Sequence, residues 1–277
     1  MEMFFYGKSD IGKRRPSNQD SFFTRRIADN AVLCVVCDGM GGAAGGNIAS
    51  EITVKAFSEY LINALSDALQ DGRLITDALS IDELYPSAAS EANRRVYERA
   101  EADPSLQGMG TTLVAALIAD STLFAANIGD SRLYLITRSE MKQISHDHSF
   151  IQYLIDIGQL TPEEARNSPS RNIITRAVGH DAEIETDTFT VDLGAYPEGC
   201  VLLCSDGLTN YLSEEKIASV LREKTAGEDG LRRKVDRLID LANENGGGDN
   251  VTAVAIEYKN ENAEKNPFSL LKKNKRL

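Results

Sequence analysis

Apolar residues along this chain change period several times, and each change marks an element. Near the N-terminus the period is two. Residues 4–8, 21–27 and 31–37 are short apolar or alternating runs separated by polar turns, which predicts three strands. The period then lengthens. From about residue 46 to residue 69, Ile48, Ile52, Ala56, Tyr60, Leu61 and Leu65 recur at three- and four-residue steps, so a helix is predicted. A second helix is expected to start at Ser80. There Ser80 and Glu83 match a capping box, in which each side chain satisfies a free backbone N–H of the first turn. Its stripe of Leu84, Tyr85, Ala88, Ala92 and Val96 runs to a stop at Asp103-Pro104.

The period returns to two at residues 111–118, 123–128 and 132–137, with tight turns at Asp120-Ser121 and Gly129-Asp130. Residues 145–186 are polar and irregular. Exceptions are a helical piece at 149–157 and a helix start at Thr161-Pro162-Glu163-Glu164. An insertion of this kind, about residues 145–180, reads as a lid or binding loop. Strands follow at 185–191 and 201–204, helices at 213–222 and 231–243, and a last strand at 251–258. Helix pairs flanking groups of strands predict helices covering a two-sheet core.

Composition narrows the functions. The chain has 277 residues, enough for one large domain or two small ones, and 42% hydrophobic residues supply a substantial core. A net charge of −12 repels nucleic-acid phosphates, so no nucleic acid is expected as partner. Phosphate chemistry stays open, because bound metals reverse the local charge. No apolar run has the length of a transmembrane helix, and the N-terminus lacks the apolar core of a signal peptide. A cytoplasmic location is therefore expected. Residues 259–277 carry Lys272, Lys273, Lys275 and Arg276 and read as a basic, mobile tail; docking to an acidic partner or anionic surface is the alternative.

Cys34 and Cys37 have the C-x-x-C spacing of metal and redox sites. On a strand, positions i and i+3 point to opposite faces, so both are expected as buried, reduced thiols. Cys200 and Cys204 share a face and are expected to be reduced as well.

The chemistry concentrates at strand ends. One apolar run ends on Asp38-Gly39 and another on Ser205-Asp206-Gly207; Asp249 stands just before the last strand. Acids at the mouths of buried strands are costly unless something positive gathers them. An oxygen-only cluster suits magnesium or manganese. Residues 39–44 also match the G-x-G-x-x-A of dinucleotide-binding turns. However, Asp38 would repel a pyrophosphate there, and residues 71–76 give little of the second buried strand that the fingerprint needs. A P-loop lacks its Gly-Lys-Ser/Thr. Near the N-terminus, Arg15 precedes Asp20 in a turn between strands, which suits either a phosphate clamp beside a ligand or a solvated basic turn with Lys13 and Arg14. Asp130 suits a turn on its own account.

In order along the chain, Arg15 to Asp20, Val36 to Gly42, Gly108 to Thr112, Gly129 to Arg132, Ser145 to Ser149, Ser205 to Leu208 and Gly248 to Thr252 resemble the metal-dependent protein serine/threonine phosphatases of the protein phosphatase 2C type, in their bacterial branch. The resemblance implies an α+β fold of two stacked antiparallel sheets flanked by helix pairs, a four-layer αββα sandwich. It implies a catalytic domain over residues 1–258 with a flap at about 145–180. It implies that Asp38 bridges two divalent ions, Mn2+ or Mg2+, and that the Gly39 carbonyl binds one of them. Asp206 and Asp249 would hold the second, with Asp20 at the same site through water. Arg15 would bind the substrate phosphate, and Asp130 with Asp206 would form the third metal site of bacterial relatives. A hydroxide shared by the two ions would attack the phosphorus in line. The substrates would be phosphoserine and phosphothreonine proteins, among them a serine/threonine kinase or its substrates, and the enzyme a monomer.

Three positions depart from the pattern. Gln19 stands where animal relatives have an acid, Met40 where they have a histidine, and Asn210 where some members place an aspartate for the third metal. The alternative reading is a catalytically weak phosphatase-like regulatory module. Retention of Arg15, Asp38, Asp206 and Asp249 argues against it, because binding alone does not require all four.

Overall fold

The computed structural model describes residues 1–75, 80–165, 168–225 and 227–260. The chain opens with strands β1 (Glu2–Asp10), β2 (Asp20–Ala28) and β3 (Ala31–Met40), each extending past its apolar run. Two helices follow, α1 (Gly42–Ser66) and α2 (Ile81–Glu101), with a small hairpin of β4 (Leu69–Gln70) and β5 (Arg73–Leu74) between them. Next come β6 (Gly110–Thr111), β7 (Leu113–Ala119), β8 (Thr122–Ile128), β9 (Arg132–Ile136) and β10 (Met141–Gln143). The irregular segment holds α3 (Phe150–Asp156) and α4 (Pro162–Ala165). The chain then returns as β11 (Asp187–Asp192), β12 (Glu198–Cys204), α5 (Asp206–Thr209), α6 (Glu214–Leu221), α7 (Gly227–Glu244) and β13 (Val251–Lys259).

The strands form two main antiparallel sheets. One has the order β1-β13-β12-β9-β10; the other runs β11-β8-β7-β3-β2, with β6 paired to the end of β3. The two-residue alternation explains how they stack. In β3, Leu33, Val35 and Cys37 pack with α1 and α2, while Val32, Cys34 and Val36 pack into the layer between the sheets. In β12, Cys200, Leu202 and Cys204 face α6 and α7, while Val201 and Leu203 point into that same middle layer. Three apolar layers thus separate four structural ones: helix pair, sheet, sheet, helix pair. This is the expected α+β sandwich. Leu33 and Leu117 are fully buried, and truncating either to Ala would cost about 2–5 kcal/mol. The four cysteines are buried and unpaired, Cys34 and Cys37 on opposite faces and Cys200 and Cys204 on one.

Several boundaries differ from expectation. Helix α1 starts earlier, at the glycines, because its first turns press against the end of β3. A Cβ on Gly46 would lie 2.7 Å from the Gly39 carbonyl oxygen. It also ends earlier, since Asp71 and Gly72 both adopt positive φ, 48° and 78°, and turn the β4–β5 hairpin. Ser80 caps α2 without a side-chain hydrogen bond. Its ψ of 84° departs from the 154° and 156° of Ser149 and Ser213, whose hydroxyls do cap their helices. The box is instead formed at Thr161, whose hydroxyl accepts the Glu164 N–H at 3.3 Å while Glu164 Oε2 accepts the Thr161 N–H at 2.9 Å. The strand expected at 111–118 is broken at Thr112, whose N–H donates to the Asp38 carbonyl at 2.9 Å. Lys259, expected to open the tail, instead closes β13; the basic residues of the expected tail, Lys272, Lys273, Lys275 and Arg276, lie outside the described residues.

Candidate metal centre

The six candidate side chains and Gly39 come from both sheets and meet at one end of the sandwich. Asp20 opens β2 and is the register partner of Asp38 in β3. Asp206 begins α5 directly after β12, and Asp249 precedes β13, the strand paired with β12. Arg15 sits on the loop between β1 and β2, and Asp130 on the turn between β8 and β9. Strand ends are where side chains leave the apolar layers without leaving the rigid sheet, so their carboxylates are held before anything binds.

Asp20 ties the two sheets together. Its Oδ2 accepts hydrogen bonds from the Ser205 hydroxyl and the Thr252 hydroxyl, each at 2.7 Å, both reaching over from the other sheet. Its Oδ1 is buried with no hydrogen-bond partner. Asp206 repeats the pattern: Oδ2 accepts from Asn210 Nδ2 at 2.9 Å, and Oδ1 is buried and unpartnered. Asp38 is fixed through its backbone. Its N–H donates to Thr112 Oγ1 at 2.9 Å, and its carbonyl accepts the Thr111 hydroxyl at 2.8 Å. Thr112 Oγ1 also lies 2.7 Å from Ser131 Oγ, which links Asp38 to the turn bearing Asp130. Gly39 must be glycine, because a Cβ would fall 2.0 Å from the Gly46 carbonyl oxygen. Its N–H donates to the Gln19 carbonyl at 3.1 Å.

Electrostatics follow from this crowding. Burial first, then Asp20, Asp206, Asp130 and Asp249, push Asp38 well above the ordinary carboxylate range. Burial raises Asp20 to about 7, against the lowering effect of Thr252 and Ser205 and with added repulsion from Asp206 and Asp249. Burial, then Asp206 and Asp147, push Asp130 up to about 8. Asp206 is raised by burial and by Asp249, and held back by Asp38, by the Asn210 hydrogen bond and by Arg15. The counter-charge near Asp249 is Arg15, whose Nη2 stands 2.8 Å from Asp249 Oδ2. Among the described residues, no three acids are drawn into a single coordination sphere; Arg15 engages Asp249.

The donor set fits a hard divalent cation. It consists of oxygens only, several carboxylates repel one another, and two buried oxygens have no partner to satisfy them. Of the residues expected from sequence, Asp20, Asp206, Asp130 and Asp249 lie near enough to act on Asp38, and Arg15 pairs with Asp249. Sequence reasoning missed the supports. Ser205 and Thr252 hold Asp20, and Thr112 holds Asp38. Asn250 accepts the Gln19 N–H through Oδ1 at 2.8 Å and donates through Nδ2 to the carbonyls of Ile11 and Ser17, at 2.9 and 3.0 Å. It thereby staples the loop that carries Arg15. A local signal existed for two of them only: Ser205 and Asn250 stand directly beside Asp206 and Asp249 at the ends of apolar strands.

Comparison with known proteins agrees with this arrangement. The family profile for protein phosphatase 2C matches residues 6–240. A serine/threonine phosphatase, stp, of Listeria welshimeri is 37% identical over 250 residues, covering 90% of this chain and 94% of that protein. Protein phosphatase PhpP of Streptococcus pneumoniae is 35% identical over 260 residues, covering 92% of this chain and 98% of its own length. The structure of the Mycobacterium tuberculosis serine/threonine phosphatase PstP/Ppp superposes with a TM-score of 0.79 at 33% identity, over 93% of this chain and 99% of that one. A PstP catalytic domain in complex with two manganese ions superposes with a TM-score of 0.75 at 33% identity, over 92% and 97%. With carboxylates gathered at the shared end of two stacked sheets and relatives matching over nearly their whole length, the chain belongs to the protein phosphatase 2C family.

Proposed function

We infer that this chain is a metal-dependent serine/threonine phosphoprotein phosphatase, with its two divalent cations, Mn2+ or Mg2+, held by Asp38, Asp206, Asp249 and Asp20. The observation that carries the ligand assignment is the pair of buried, unpartnered oxygens, Asp20 Oδ1 and Asp206 Oδ1, inside one acidic cluster. Asp38 is the bridging ligand in this reading; its support is that Asp20, Asp206, Asp130 and Asp249 all act on it. The Gly39 carbonyl is assigned from its place directly after Asp38. Asp130 with Asp206 forms a third site, supported by their burial and mutual repulsion.

When bound, the two ions lower the pKa of a water they share and offset charge on the phosphoryl oxygens. The chain's own residues do the rest. Asp38, Asp206, Asp249 and Asp20 set the spacing of the ions from rigid strand ends. Arg15, partly exposed on a loop stapled by Asn250, exchanges its contact with Asp249 for the phosphoryl oxygens, to which its planar fork is matched. The flap borders this site through Val178, whose N–H donates to the Thr111 carbonyl at 2.9 Å. Phosphoserine and phosphothreonine proteins arise from kinase reactions, so the enzyme is placed opposite a serine/threonine kinase or its substrates. It acts as a monomer, which size-exclusion chromatography tests. A cytoplasmic location is supported by four unpaired thiols.

The test is hydrolysis of p-nitrophenyl phosphate and of a phosphothreonine peptide, with added Mn2+ and after chelation. Turnover should vanish on chelation and return with Mn2+. Full activity in the chelated sample overturns the reading. Peptide binding without turnover in Mn2+ replaces it with a regulatory module.

A further inference from the structure

His148 lies at the start of the flap, and its imidazole is nearly buried. It faces the turn that carries Asp130. The Gly129 N–H donates to His148 Nδ1 at 3.1 Å, and the His148 N–H donates to the Gly129 carbonyl at 2.9 Å. Gly129 has a φ of 98°, and a Cβ there would lie 2.6 Å from Thr112 Cγ2, so this turn admits glycine alone at that position. With Nδ1 accepting, the neutral ring carries its hydrogen on Nε2, which lies 3.2 Å from Asp187 Oδ2. Arg176 Nη1 lies 2.8 Å from the other oxygen of Asp187 and 3.1 Å from Nε2. Both are donors in this tautomer, so Arg176 acts through the shared carboxylate. Burial, which lowers the ring's proton affinity, favours the same neutral form. A histidine whose only task is to fill the core needs none of this reciprocity.

We propose that His148 is a positioning residue, whose Nδ1 fixes the Gly129–Asp130 turn so that Asp130 faces Asp206, and whose Nε2 joins that turn to Asp187 and the flap residue Arg176. The proposal rests on the reading of Asp130 as a metal ligand. It assigns to the flap a second task besides bordering the site: holding Asp130, the ligand of the third site.

Asparagine and glutamine separate the two ring nitrogens. In His148→Asn the amide oxygen takes the place of Nδ1 and keeps the acceptor for Gly129. In His148→Gln the amide reaches the place of Nε2 and keeps Asp187 but leaves Gly129 N–H unpaired. Mn2+ binding is measured by calorimetry, and Gly129 amide protection by hydrogen exchange in the metal-free protein. His148→Gln should weaken the lowest-affinity ion about tenfold or more and lose Gly129 protection by a similar factor, whereas His148→Asn, which gives up only the Asp187 contact, should keep Gly129 protection and weaken the ion no more than Asp187→Ala does. Asp187→Ala, at a more exposed position, should weaken the same ion in the same direction and guards against a glutamine variant that does not fold. Equal losses in the asparagine and glutamine variants, or a folded glutamine variant that binds like wild type, overturns the proposal. Asp130→Asn is run alongside. If it loses no ion, the reading of Asp130 falls and the proposal with it; if it loses one while His148→Gln does not, the role of His148 alone is overturned.

Discussion

Asp20, Asp206 and Asp249 each have a side-chain partner that explains the carboxylate's pose, and in the proposed assignment Arg15, the partner of Asp249, belongs to substrate and not to metal. Asp38→Ala removes the acid on which the other four act, and Asp249→Ala removes the contact of Arg15, so either should abolish turnover of p-nitrophenyl phosphate in saturating Mn2+. Measurable wild-type turnover in both would remove them from the site. Arg15→Ala should leave metal affinity in place and lower kcat/KM about 10–100-fold, mostly through KM if the contact is equal in ground and transition states. Arg15→Lys should recover part of the loss, because a point charge replaces a two-pronged donor. A wild-type KM in Arg15→Ala would make the residue a surface cation. Asp38, Asp206 and Asp249 stood out in the sequence because each lies beside an apolar run and a glycine or asparagine. The supports did not: Ser205 and Thr252 reach Asp20 from positions 185 and 232 residues away, and no local pattern encodes a hydrogen bond across two sheets.

At the scale of elements, periodicity located the strands and the long helices because packing and propensity agree there. It failed where the site bends the backbone. The break at Thr112 exists because its amide and hydroxyl serve Asp38, and α1 begins among glycines because Gly39 and Gly46 must touch. Short pairings such as β10 carry too few apolar residues to mark a period. The irregular course of residues 145–186 was legible, but not its anchorage through Asp147, which takes three hydrogen bonds from Arg132 at 2.7–3.1 Å. Its α3 leaves Phe150 and Tyr153 exposed, with Ile157 just beyond it and Ile173 beside it. A phosphoprotein must rest on such a rim, whereas a small aryl phosphate needs little beyond the metals. Tyr153→Ala combined with Ile173→Ala should therefore lower kcat/KM for a phosphopeptide several-fold more than for p-nitrophenyl phosphate. An unchanged ratio in a folded double variant would assign specificity elsewhere.

For the whole molecule, the acidic cluster also bears on stability. Two sheets meet at the cluster, and Asp20 is hydrogen-bonded across them, so crowding at this point loads the interface between halves of the sandwich. In the chelated protein Asp20 titrates at about 7 and Asp130 at about 8, both above the 3.8 of a free aspartate. Below pH 4 folded and unfolded chains are alike at these groups. Between pH 4 and 8 the folded chain keeps protons that the unfolded chain has shed, so unfolding becomes easier as pH rises, and the effect ends once the folded groups have ionised. Bound cations remove the cause of the repulsion and bind the native state alone, adding stability by mass action. Melting curves in chelator should therefore fall from pH 5 to pH 8, and excess Mn2+ should raise the melting temperature more at pH 8 than at pH 5. Asp38→Ala should show a smaller fall and a smaller rise, because it removes one repelling charge and one ligand together. A chelated protein equally stable at both pH values would mean that the carboxylates are already relieved by partners within the chain, and the cluster would lose its claim to need a metal.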